Sequence, residues 1–202
     1  DYYLNSDEKS KEIQQKYQAY ITKVAELALW TDPAKVAATV YAIETKLAEA
    51  QWSRIQNRDR NATYNKLTLA QLAETAPGFD WAALFGAAKL ADVNEIVVRQ
   101  PTYLTAFAKL QSEIPVADWQ TYLKFHLVRA NSQLLASSFD HASFEFYGKT
   151  LSGLEAQRDR EQRAVSALAE SLGFMLRKIY VERHFKPEAK ERMDQLIKNM
   201  RV

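Results

Sequence analysis

Apolar residues first recur at helical spacing along Ile13, Tyr17, Ile21, Val24 and Ala28, with gaps of four, four, three and four. That spacing draws one stripe down a 3.6-residue helix and predicts an amphipathic segment that Asp32-Pro33 stops. Asp32-Pro33 pairs an N-cap residue with a proline at the first helical turn, so a second helix starts there. Val36, Val40, Ile43 and Leu47 continue the stripe. The two segments predict an antiparallel helical hairpin with a tight turn.

Beyond it, QNRDRNATYNK (56–66) reads as a polar loop, and Thr68 with Gln71 has the form of a capping box opening a short helix. Pro77-Gly78 ends that helix, and Asp80 caps the next. EIVVRQ (95–100) has strand-like residues but no evident partner, which predicts an extended connector. Pro101 opens one helix and Pro115 a longer one running to SSF (137–139), with Leu123, Leu127, Leu134 and Leu135 on its buried side. SFEFYGKTLSG carries a helix to a glycine stop. A long helix over 155–185 ends before Pro187, which starts the last one. The fold class expected is all-α: roughly eight helices in an irregular orthogonal and antiparallel bundle, forming a single helical domain over 1–202. No repeat of about 34 or 40 residues argues for a solenoid.

Composition changes this picture little. Two hundred and two residues suffice for a self-supporting core. Five glycines and five prolines are too few for a turn-rich β fold. Lys and Arg total 27 against 25 Asp and Glu, with the signs interspersed, so the basic face of a nucleic-acid binder is missing. The absence of cysteine removes disulfides, thiolate metal sites and a thiol nucleophile. No apolar run reaches the ~18 residues of a membrane span, and DYYLNSDEKSKE lacks the form of a secretory signal.

Candidate chemistry is sparse. His141 and Glu145 stand one helical turn apart, half of a metal site at most. His126, between Phe125 and Leu127, reads as a hydrogen-bonded core histidine. Glu182 and His184 point some 200° apart on a helix. His184 therefore reads as a cation complementing a helix C-terminus, with Tyr180, Val181 and Phe185 packed inward. Trp30, Trp52, Trp81 and Trp119 read as packing anchors, and RIQNRDR (54–60) as a solvated basic loop. Phosphate loops, GxSxG and paired Glu-x-x-His motifs are all absent. No residue is assigned a catalytic, cofactor-binding or metal-binding role.

Several stretches in order resemble the neprilysin/endothelin-converting-enzyme family of zinc metallopeptidases, in its cysteine-free bacterial oligopeptidase form. They are DYYL (1–4), AIETKLAEAQWSR (42–54), YNKLTLAQL (64–72) with FDW (79–81), FYGKTLSG (146–153) and LGFMLRKIYVERHFKPEAKERMDQLIKNMR (172–201). The resemblance implies the helical cap of the N-terminal half, which restricts peptide access to a zinc site. It implies oligopeptide substrates and a catalytic zinc domain as this segment's partner. Zinc would belong to the parent enzyme, with no cofactor in this segment. The family's His-Glu-x-x-His motif occurs nowhere in the sequence, so 1–202 is expected to be a fragment, inactive alone, of an active parent. Family habit suggests a periplasmic or extracellular location, with the cytoplasm as alternative. A stand-alone helical interaction module derived from such an enzyme is the competing expectation.

Overall fold

A computed structural model describes residues 2–200. Among them are nine α-helices and a two-stranded sheet, so the all-α expectation holds. The chain falls into two compact units, Asp1–Glu155 and Ala156–Val202.

In the first unit, α1 (Glu8–Leu27) and α2 (Pro33–Ala50) pack together as the predicted hairpin. Asp7 caps α1 by accepting from the Ser10 amide, and Asp32 caps α2 through the Lys35 amide. The Ser10 hydroxyl donates to the other Asp7 oxygen, and these bonds hold the Asp7 carboxyl below the usual carboxylate range. Tyr17, Tyr20, Ile21, Val24 and Ala25 of α1 bury against Val36, Ala37 and Val40 of α2. Phe125 of α6 (Val116–Ala130) and Phe146 complete this core.

A second core forms around Leu72, Ala76, Trp81, Val98 and Ala108. Its helices are α3 (Leu69–Thr75), α4 (Trp81–Ala87) and α5 (Pro101–Glu113). The Thr68–Gln71 capping box forms, as does the Asp80 cap. EIVV is not a bare connector, however. β2 (Glu95–Val98) pairs antiparallel with β1 (Asn65–Thr68), Leu67 opposite Ile96. The partner strand begins in the last two residues of the expected polar loop and brings a single large apolar side chain, Leu67. Lys66 pairs with Glu95 at 2.5 Å, and Asn65 Nδ2 donates to the Val98 carbonyl at 3.0 Å.

The buried side of α6 is also corrected. Leu123 and Leu127 are 61% and 66% exposed, and Leu134 and Leu135 are exposed as well. The buried face instead follows Tyr122, Phe125 and Arg129: the Phe125 ring packs on Tyr20 of the hairpin and Arg129 donates to Tyr147. Residues two apart on a helix lie some 200° apart, so burying Phe125 turns Leu123 and Leu127 outward. α6 also ends earlier than expected, because Asn131 folds its side chain back onto the Leu127 carbonyl at 2.8 Å.

α7 (Ser137–Ser143) runs directly into a π-helical stretch, Phe144–Leu151. Within it, the Thr150 and Ser152 hydroxyls donate to the carbonyls of Glu145 and Tyr147, five residues back. The Phe144 ring lies where a side chain on Gly148 would stand. Glycine to alanine ordinarily stabilises a helix. Here Gly148→Ala forces that ring aside, and we expect a loss of about 1–3 kcal/mol, read from urea unfolding midpoints. A gain in stability would refute the packing argument.

The second unit contains α8 (Arg160–His184) and α9 (Pro187–Met200). Asp159 caps α8 through the Gln162 amide, and Phe185-Lys186-Pro187 forms the expected break. Neither helix buries a residue. Asp1 of DYYL and Arg201 of the last resembling stretch lie outside the described residues.

Candidate functional site

Glu44 sits on the buried stripe of α2, one turn beyond Val40, and is only 8% exposed. A carboxylate taken out of water must be hydrogen-bonded or it unfolds its surroundings. Three elements supply donors. Tyr17 of α1 donates to Oε1 at 2.9 Å, and His126 of α6 meets the same oxygen through Nε2 at 2.9 Å. The Tyr3 hydroxyl reaches Oε2 at 3.2 Å. Tyr3 is placed by Gln14, whose side-chain amide donates to the carbonyls of Tyr2, Tyr3 and Asn5.

These groups line a cleft of about 300 Å³ with Ile13, Tyr41, Phe146 and Leu151. On its far wall Arg129 Nη1 donates to the Tyr147 hydroxyl at 3.3 Å, its guanidinium 5.8 Å from that ring's centre. Burial, reinforced by the charge of Glu44, pushes the Tyr3 and Tyr17 hydroxyls well above the ordinary tyrosine range. Burial pushes Tyr20 up to about 12. Tyr3 and Tyr17 therefore keep their protons and donate to Glu44 at neutral pH. Both oxygens of Glu44 are engaged, and the arrangement fastens the N-terminal segment and α6 to the α1–α2 hairpin.

The expected roles of the other residues divide. His126 is indeed a hydrogen-bonded histidine at the core's edge. His141 and Glu145 border a groove that also holds Lys16 and Lys23, and Glu145 pairs with Lys149 at 2.6 Å. His184 lies in the last turn of α8, its ring 5.0 Å from that of Tyr180. Tyr180, Val181 and Phe185 do not pack inward: all three are exposed. The three histidines belong to α6, α7 and α8, and no group of three or more metal-ligating side chains forms among the described residues. These residues do not fit a zinc site.

The tryptophans anchor element ends. Trp81 Nε1 donates to the Ala76 carbonyl at 2.9 Å, and Trp52 Nε1 to Thr102 Oγ1 at 2.6 Å. Trp30 packs on the first core, and Trp119 lies edge-on to Tyr122. RIQNRDR is exposed apart from Asn57, whose side chain caps the Trp52 and Ser53 carbonyls. Glu44 was the residue missed. Its signal was present: a lone acid inside the apolar stripe of α2, and a core histidine needing an acceptor.

Known proteins share this architecture. The N-terminal model of peptidase family M13 matches residues 1–202. The zinc metalloprotease Zmp1 of Mycobacterium tuberculosis, in its open state, superposes with a TM-score of 0.88 at 38% identity. That match covers 98% of this chain and 32% of the other. Endothelin-converting enzyme 1 of Rattus norvegicus is 26% identical over 98% of this chain, and endothelin-converting enzyme-like 1 of Mus musculus 24%. The chain belongs to peptidase family M13, the neprilysin/endothelin-converting-enzyme family of zinc metallopeptidases. It spans 27% and 26% of the length of those two relatives.

Proposed function

We propose that this chain is the helical, non-catalytic part of a neprilysin-like zinc endopeptidase that cleaves oligopeptides. In that reading it helps cap the chamber over the zinc, which is held by the enzyme's own catalytic domain outside residues 1–202. Restricting access to small, flexible peptides also keeps bulk water from a site where electrostatic stabilisation acts best. The observation that carries the reading is likeness to a zinc metalloprotease along 98% of the chain, combined with side chains that do not fit a zinc centre. A periplasmic or extracellular location is part of the proposal. No helix among the described residues is long and apolar enough to cross a membrane.

Two measurements test it. The purified chain, given zinc and a fluorogenic oligopeptide, should show no turnover above buffer; sustained, chelator-sensitive cleavage would overturn the non-catalytic assignment. The reading frame after Val202 should encode His-Glu-x-x-His. A stop codon there would favour a stand-alone interaction module instead.

A further inference from the structure

α8 carries apolar side chains on two faces and, unlike α6, whose Phe125 is buried, it buries neither of them among the described residues. Val165, Leu168, Leu172, Met175 and Ile179 follow one another at gaps of three, four, three and four, and Leu176 joins the same face. Phe174, Val181 and Phe185 form the second face, at gaps of seven and four. At about 100° per residue, Phe174 stands about 200° around the helix from both Leu172 and Leu176. Glu182 lies between the two faces, whereas Lys178, one turn after Phe174 and three residues before Val181, stands at the edge of the second face with its charged head free to reach past it. All of these apolar residues are exposed, Phe174 by 89%. α9 adds a single apolar face through Met193, Leu196, Ile197 and Met200, also exposed.

A helix at a protein surface needs one apolar stripe; apolar residues on opposite sides belong to a helix enclosed by neighbours. We infer that the C-terminal half of α8 is sandwiched between two apolar layers of the same enzyme's polypeptide lying outside residues 1–202. It is then a structural member of the catalytic half and not of the cap. The inference rests on the functional reading above and narrows it: only the first unit would be cap. A second copy is the poorer occupant. A symmetric dimer contact covers one patch on each partner, and covering two opposite faces by copies alone produces an open stack. The matched relatives have ample chain for the purpose, since roughly 70% of the Zmp1 chain lies outside the matched part.

The test uses the full-length enzyme read from the gene, with Phe174→Gln and Leu172→Gln on the two faces and Glu182→Gln between them. Each of the first two should lower the thermal midpoint by more than about 2 °C, and Glu182→Gln should leave it unchanged. In the isolated chain all three should be silent, and α8 amides should exchange at least about 100-fold faster than in the full-length enzyme. Phe174→Gln silent in the full-length enzyme would overturn the two-sided enclosure. So would an isolated chain that sediments as a dimer and already protects α8. A frame encoding the zinc motif alongside a silent Phe174→Gln sinks this inference alone, whereas a frame without the motif sinks the functional reading.

Discussion

Glu44→Ala is expected to cost about 3–5 kcal/mol of folding stability, the range for removing one partner of a buried charged network. The loss comes less from the glutamate's own bonds than from what it leaves behind. Tyr17 is 7% exposed, and its hydroxyl would face a cavity without an acceptor. His126 and Tyr3 would lose their partner in the same cleft. Glu44→Gln keeps the volume but presents an amide NH2 to donors, so its cost should be smaller, about 1–3 kcal/mol. A double-mutant cycle with Tyr17→Phe isolates the shared part, because removing both partners spares the orphaned hydroxyl. Urea unfolding gives all four values. A loss below about 1 kcal/mol for Glu44→Ala would mean that water satisfies these groups and the cluster fastens nothing.

The cluster also shows where sequence reasoning reaches and where it stops. Caps and stripes are local, and Asp32, Thr68–Gln71, Asp80 and the Pro187 break all stand where their residue types demand. Pairings across the chain are not local. Glu44 and His126 are 82 residues apart, and nothing in either neighbourhood names the other. The same holds for β1 and β2, whose pairing spans two intervening helices. α6 failed differently: leucine is a weaker guide than a ring with a polar tip when both compete for the buried side. Tyr122, Phe125 and His126 turn toward the hairpin since Glu44 and the tyrosines reward them there, and the leucines are left outside. Neither α8 nor α9 buries a residue among the described ones, so the inward packing expected of Tyr180, Val181 and Phe185 is not met. The π-helical stretch at Phe144–Leu151 had only one quiet sign, Gly148 four residues after Phe144.

Alkaline conditions should unfold the first unit through its buried phenols, and here the sign can be worked out. An unfolded tyrosine ionises near pH 10, whereas Tyr20 is pushed up to about 12, and Tyr3 and Tyr17 higher still, all chiefly by burial. Below pH 10 both states keep the proton, so the neutral phenols' contribution to stability is intact. Above it the unfolded chain loses protons that the folded chain retains, and stability falls as pH rises. Each such tyrosine contributes a slope of about 1.4 kcal/mol per pH unit, so Tyr3, Tyr17 and Tyr20 together take away about 4 kcal/mol by pH 11. Phenolate absorbance should show a late, cooperative group of tyrosines that ionises only as the chain unfolds. Tyr20→Phe should remove about a third of the slope between pH 10 and 11, since Tyr3 and Tyr17 keep theirs. If Tyr20→Phe loses stability with pH as steeply as the parent chain, Tyr20 is not the buried, proton-retaining phenol described here.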